Sequence, residues 1–173
     1  DCIGVLLPDS FELHIALLAL ERAGLVVMAI GPRAGAKEVC HLLQKSGAVA
    51  LLSLGEHRGT PTNEFAENLG LHIVVDELLQ GKIAINAKPS LLPELTSRNN
   101  ATLRERCFED SELFLLNSTS GTTGMPKCVA HSSRRWFFYH RLVLETAALS
   151  EREVFMSCIS GTFGFGLWTS RFT

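Results

Sequence analysis

Closely spaced cysteine pairs are missing from this sequence. Its five cysteines, Cys2, Cys40, Cys107, Cys128 and Cys158, lie far apart. That scatter excludes the usual metal-binding spacings and reads as reduced thiols in a cytosol-like compartment. A long apolar run is missing too. The most apolar region, "IALLALERAGLVVMAI", is broken by Glu21, Arg22 and Gly24, so no membrane span is expected. There is no excess of either charge: the formal net charge is −2, which gives no electrostatic reason to expect nucleic acid or an anionic membrane as partner. Low-complexity tracts are absent, no signal peptide is expected, and a cytoplasmic location is the expectation.

What is present is ordinary in bulk. The 173 residues are 46% hydrophobic and 20% charged, enough for one domain with a full core. The chain opens at Asp1 on an apolar strand and stops in "GLWTSRFT". We therefore expect a piece of a longer protein, lacking its start and its C-terminal part.

Short apolar runs alternate with helical segments. Residues 3–7, "IGVLL", read as a buried strand, and Ser10 is placed to cap the helix "FELHIALLALERA". Phe11, Ile15 and Leu18 share one face of that helix. Gly24 ends it, and residues 25–30 form the next strand. A helix over about 35–46 has Val39, Leu42 and Leu43 inward, Gly47 ends it, and 48–54 is a strand. A short helix at 62–69 and a strand at 71–75 follow. Gly24, Gly47 and Gly70 are equally spaced, which fits helix–strand units of similar length that end alike. Such β-α-β alternation predicts an α/β fold with a layered parallel sheet covered by helices.

Residues 80–112 are less regular and read as a surface excursion. The sheet resumes at 112–118, "CVAHS" is a short strand, a long helix runs over about 132–149, and a last strand is expected at 154–159.

Between two of these strands lies "NSTSGTTGMPKC". Polyphosphates are held by converging N–H groups, short hydroxyls and a cation. Gly121 and Gly124 let the main chain approach closely. Ser118, Thr119, Ser120, Thr122 and Thr123 supply hydroxyls, and Pro126 stiffens the approach to Lys127. The Walker pattern does not fit, because Pro126 precedes the lysine and Cys128 stands where a metal-binding hydroxyl is needed.

"TSGTTGMPK" resembles the phosphate loop of the adenylate-forming superfamily, which includes acyl-CoA synthetases, luciferases and peptide-synthetase adenylation domains. The resemblance extends over nearly the whole chain. "IGVLLPDSFELHIALLALERAGLVVMAIGPRAG" is similar to the superfamily's opening strand–helix–strand, and "SCISGTFGFGLW" falls where acyl-CoA synthetases line the acyl pocket.

The resemblance implies a two-step reaction. A carboxylic acid attacks the α-phosphate of ATP, with Mg2+, to give an acyl-adenylate and pyrophosphate; coenzyme A then takes the acyl group. It implies nucleotide binding by Thr119, Ser120, Gly121, Thr122, Thr123, Gly124 and Lys127. Lys127 would act catalytically by offsetting charge on the leaving pyrophosphate. Phe163, with Gly164, is the implied wall of the acyl pocket. No metal ligand is implied within the chain. Family segments for adenine, ribose and magnesium, and the C-terminal catalytic lysine, are expected beyond Thr173, so residues 1–173 read as a partial N-terminal domain that is inactive alone.

Two positions depart from the family pattern: Ser118, where an aromatic is common, and Cys128, where glycine is usual. His131 falls where the family often has a histidine, and a structural hydrogen-bonding role is favoured over substrate contact. "SSRRWFFYHR" reads as packing, with Trp136, Phe137 and Tyr139 inward, and not as a nucleic-acid site. The expected substrate is a hydrophobic acid, not an amino acid, because "SGTFGFGLW" has no carboxylate to pair with an ammonium group. Transfer to a carrier protein or an amine, and a non-catalytic nucleotide-binding module, stand as alternatives.

Overall fold

The computed structural model describes residues 1–75, 84–87, 108–119, 124–154 and 156–171; for 84–87, 170 and 171 it describes backbone only. The part of the excursion at 88–107, and Ser120 to Thr123 of the loop, lie outside the described residues.

Strands β1 (Cys2–Leu6), β2 (Val26–Ala29) and β3 (Ala48–Ser53) alternate with helices α1 (Phe11–Arg22) and α2 (Ala36–Ser46). A small hairpin, β4 (Glu56–His57) and β5 (Thr60–Pro61), and a single turn α3 (Asn63–Ala66) lead to β6 (Leu71–Val74) and β7 (Ala84–Ala87). Then come β8 (Leu113–Ser118), β9 (Cys128–Ser132), α4 (Ser133–Thr146) and α5 (Gly164–Arg171). One sheet has the order β7-β6-β3-β1-β2-β8-β9. Its inner pairs are parallel, but β7 and β9 run antiparallel at the two edges. The fold is α/β with a mostly parallel sheet, as expected; the antiparallel edges were not.

Successive strand residues point to opposite faces. Val5, Val27, Ala29 and Leu52 join Leu13, Ala16 and Leu17 of α1, Trp136 of α4, and Leu167 and Trp168 of α5 in one core. Leu6, Met28, Ile30 and Leu51 join Val39, Leu42 and Leu43 of α2 and Phe65 of α3 in the other. Each fully buried leucine stabilises the fold by roughly 1.5–3 kcal/mol, so both faces are firmly covered. Gly47 ends α2 at φ 65°, a left-handed cap that returns the chain straight into β3.

Three expectations fail here. The buried face of α1 is Leu13, Ala16 and Leu17, whereas Phe11, Ile15 and Leu18 are exposed. The stretch "HIALLAL" has apolar residues on every side, so a 3.6-residue period selects no single face. No described residue of 154–159 forms a strand; Val154 and Met156 are almost wholly exposed, and the sheet ends at β9. In α4 only Trp136 is buried, while Phe137 and Tyr139 are half exposed. Among the described residues no helix is long and apolar enough to cross a membrane.

Candidate functional site

After β1 the chain turns to α1 on one face of the sheet, and after β2 to α2 on the other. A crevice therefore opens at the carboxyl ends of these strands, where α/β sheets collect ligands. Beside β2 runs β8, whose carboxyl end enters the glycine-rich loop. Gly31, Arg33, Ala34, Glu38, Ser118, Thr119, Pro126 and Phe163 line a cavity of about 290 Å³ there.

The neck of the loop is closed by β8 and β9, whose last bridge joins Ser118 to Cys128. One step further, the Thr119 amide donates to the Lys127 carbonyl, and the Lys127 amide donates to the Thr119 hydroxyl. Pro126 is buried, and the Lys127 side chain stays exposed. Gly124 takes φ 153°, and a Cβ there would meet nothing within 4 Å, so the backbone has open space beside it. Behind the lysine, the Cys128 thiol points to the Met28 sulfur at 3.9 Å. Burial raises the Cys128 pKa, with the Lys45 charge opposing it, which keeps the thiol protonated. Cys128 is thus a packing residue under the loop.

Phe163 lines the same cavity as Ser118, Thr119 and Pro126 of this loop. Its ring reaches Gly31 so closely that a Cβ on Gly31 would lie 3.1 Å from Cζ. The turn that carries it is held from two sides. Asp9 Oδ1 accepts from the Ser160 hydroxyl and the Gly161 amide, both at 2.8 Å. Asn117, buried on β8, donates from Nδ2 to the Thr162 carbonyl at 2.5 Å. Sequence reasoning singled out neither Asp9 nor Asn117. Both act on a partner remote in the chain; Asn117 opens the stretch "NSTSGTTGMPKC" and Asp9 lies in the opening strand–helix stretch, but neither was given a role there.

Gly164, paired with Phe163 in the sequence reading, begins α5 and faces a different cavity. That second cavity, about 370 Å³, is walled by His131, Arg135, Trp136, Phe138, Tyr139, Phe165 and Trp168. His131 packs edge-on against Trp136 at 5.1 Å. Burial first, and the Arg135 charge second, lower its pKa, so its ring favours the neutral form. The structure therefore brings Thr119 and Phe163 to one cavity, with Lys127 next to Pro126 of its lining but not itself in it, and places Gly164 at another. Among the described residues no group of three or more His, Cys, Asp or Glu is arranged to hold a metal.

Comparison with known proteins agrees with this geometry. The family described as "AMP-binding enzyme" matches residues 1–171. The acyl-CoA ligase oryP of Aspergillus oryzae is 30% identical over 86% of this chain and 24% of its own length. Triostin synthetase I of Streptomyces triostinicus is 27% identical over 91% of the chain and 28% of its length. Among solved structures, o-succinylbenzoate CoA synthetase (MenE) of Bacillus subtilis with its acyl-adenylate intermediate superposes with a TM-score of 0.72 at 20% identity. That likeness covers 96% of this chain and 39% of MenE; MenE has also been solved with ATP and magnesium ion. The chain thus spans about a quarter of the two curated relatives named here.

Proposed function

The chain belongs to the AMP-binding enzyme family, and from that premise we propose that the protein containing it activates a carboxylic acid with ATP. The products of this step are an acyl-adenylate and pyrophosphate. The observation that carries the reading is the shared cavity: Ser118, Thr119 and Pro126 of a clamped loop line it together with Phe163, and the loop's exposed lysine follows Pro126 directly.

In this reading the loop amides and hydroxyls, with Gly124 giving close approach, hold the β- and γ-phosphates. Ser120, Gly121, Thr122 and Thr123 share that task with Thr119. Lys127 sets its ammonium group against the charge that grows on pyrophosphate as the bond to the α-phosphorus breaks. A cation held on a clamped neck needs little reorganisation in the transition state. Phe163 walls the acid, with Gly31 behind its ring. Magnesium accompanies the triphosphate, and no residue of this chain is assigned to it. Other parts of the same polypeptide supply the adenine, ribose and remaining catalytic contacts, in keeping with the quarter of oryP and 39% of MenE that this chain spans.

The acyl acceptor in our reading is coenzyme A, supported by the acyl-CoA ligase oryP as a relative. A carrier-protein thiol is the second reading, kept open because the relatives also include synthetases not named as CoA ligases, such as Triostin synthetase I. In both cases the acid is hydrophobic, because the ring and glycines at 160–166 offer an apolar wall. The test is acid-dependent pyrophosphate release by the full-length protein, followed by offering coenzyme A, a phosphopantetheinylated carrier and a simple amine. Acid-independent ATP turnover, or binding without turnover, sinks the proposal; transfer only to the carrier selects the second reading.

A further inference from the structure

We propose that Asn117 is a positioning residue that sets the distance between the phosphate loop and the aromatic wall of the acid subsite; this rests on the function proposed above. Asn117 occupies β8, paired with Ala29 on one side and Val129 on the other. It is 3% exposed, a polar side chain where the strand on either side needs only apolar ones. Its backbone is bound into the sheet next to Ser118 and Thr119, where the loop leaves. Its Nδ2 reaches 45 residues along the chain to the carbonyl of Thr162, the residue before Phe163.

The turn that receives this bond is itself buried and hydrogen-bonded. Thr162 is fully buried, its hydroxyl lies 2.8 Å from that of Ser160, and Ser160 is bound to Asp9. The Phe163 amide donates back to the Ser160 carbonyl, and Leu167 donates to the Phe163 carbonyl, so the turn flows directly into α5. Asp9 fixes the far side of this turn. Asn117 ties its near side to the strand that bears the phosphate loop by a side-chain hydrogen bond. The bond thus gives a shift of β8 a direct route to the turn that carries the Phe163 ring.

The second half of the amide supports a placement role over simple packing. Asn117 Oδ1 is buried and has no hydrogen-bond partner among the described residues. A buried amide that leaves its acceptor unused is unfavourable for stability alone, and an apolar residue of similar volume would avoid the cost. The donor half is what the site uses. Gly164 passes 3.7 Å from Oδ1 by the measure of an added Cβ, so the turn closes directly over the amide.

The experiment uses the full-length protein with Asn117→Asp, which keeps the shape but removes the donor, and Asn117→Leu, which removes both polar halves. Hydrogen exchange of the segment 157–168 is read alongside KM for the acid and for ATP. The expected result is exchange at Gly161 and Phe163 raised about fivefold or more, in line with one lost hydrogen bond. KM for the acid should rise about tenfold, ATP KM should change less than about threefold, and the preference among acids should alter. Unchanged exchange overturns the inference, as does a fall in active fraction with both KM values and acid preference unchanged, which marks a purely structural residue. If the parent protein shows no acid-dependent pyrophosphate release, the proposed function fails, while the exchange measurement still decides whether Asn117 holds the turn.

Discussion

The Lys127 amide donates to the Thr119 hydroxyl at 3.1 Å, and the Thr119 amide donates to the Lys127 carbonyl at 3.0 Å. This pair extends the β8–β9 ladder by one step beyond its last bridge. It also commits one lone pair of the Thr119 hydroxyl to structure, so this threonine shapes the loop as well as facing the cavity. Replacing Thr119 by valine in the full-length protein should lower adenylation by about fivefold, the worth of one ordinary hydrogen bond. Serine there should stay near the parent rate. Loss in the serine variant with valine near the parent rate sinks the assignment, because it makes the methyl group, not the hydroxyl, the important part.

Lys127→Ala removes the cation while leaving the neck closed, since both neck bonds use its main chain. Acid-dependent pyrophosphate release should fall roughly 10²–10³-fold. Near-normal rate together with unchanged ATP affinity means the lysine has no phosphate role.

Gly31→Ala should narrow the acid subsite. The new Cβ lies 3.1 Å from Phe163 Cζ, so the ring must move toward the cavity. Smaller acids should gain in relative kcat/KM and bulkier ones lose, with ATP KM nearly constant. Phe163→Ala should shift the preference the other way. A panel of fatty, cyclic and aromatic acids decides it: identical preference profiles in both variants remove Phe163 from the acid wall.

Gly166→Ala should unseat the same turn from beneath. Its Cβ would stand 2.1 Å from the Ser160 carbonyl oxygen and 2.5 Å from that of Ile159, which are backbone atoms and cannot rotate aside. Overpacking against fixed backbone costs about 1–3 kcal/mol or more. A lower urea midpoint accompanied by weaker acid binding is expected; a variant as stable as the parent contradicts this packing.

His72 should make stability fall on acidification. The hydroxyls of Ser53 and Thr62 both donate to the Leu54 carbonyl. His72 Nε2, 2.9 Å from the Ser53 hydroxyl, must therefore be the donor in that contact. Its Nδ1 is buried without a partner among the described residues. Burial lowers the His72 pKa below its ordinary 6.5. With the folded value depressed, the unfolded chain takes up the proton first, so stability is whole above about pH 6.5 and declines as pH drops toward the folded value. Urea midpoints between about pH 7.5 and pH 5 should fall more steeply for the parent than for His72→Gln. Parallel slopes rule out this histidine as a source.

Much of this was legible in the residues. Glycine caps and short apolar runs mark the inner strands, and Val39, Leu42 and Leu43 face inward as their spacing requires. The loop declared itself because hydroxyls, glycines and a lysine crowd one short stretch. The exposed face of α1 was not legible, since Phe11, Ile15 and Leu18 are no less apolar than Leu13 and Leu17 on the opposite side. Nor was the edge at β9. Val154 and Met156 have strand-like character, but a strand needs a neighbour, and local sequence carries no record of one. Asn117 and Asp9 were missed for a related reason: each acquires its role only when a remote carbonyl, amide or hydroxyl folds against it.

The three closures that build the cavity differ greatly in chain length. Thr119 and Lys127 are 8 residues apart, Asn117 and Thr162 are 45 apart, and Asp9 and Ser160 are 151 apart. Loop-closure entropy rises with length, and local contacts form first. The phosphate hairpin should therefore zip early, and the proposed acid wall should lock only when Asp9 meets Ser160. During synthesis the same order is imposed by the ribosome, because Asp9 emerges long before Ser160 exists to bind it. Pulse-labelled refolding should protect the Lys127 amide ahead of the Gly161 amide. Nascent protein would thus pass through a period with its phosphate hairpin formed and its acid wall still open.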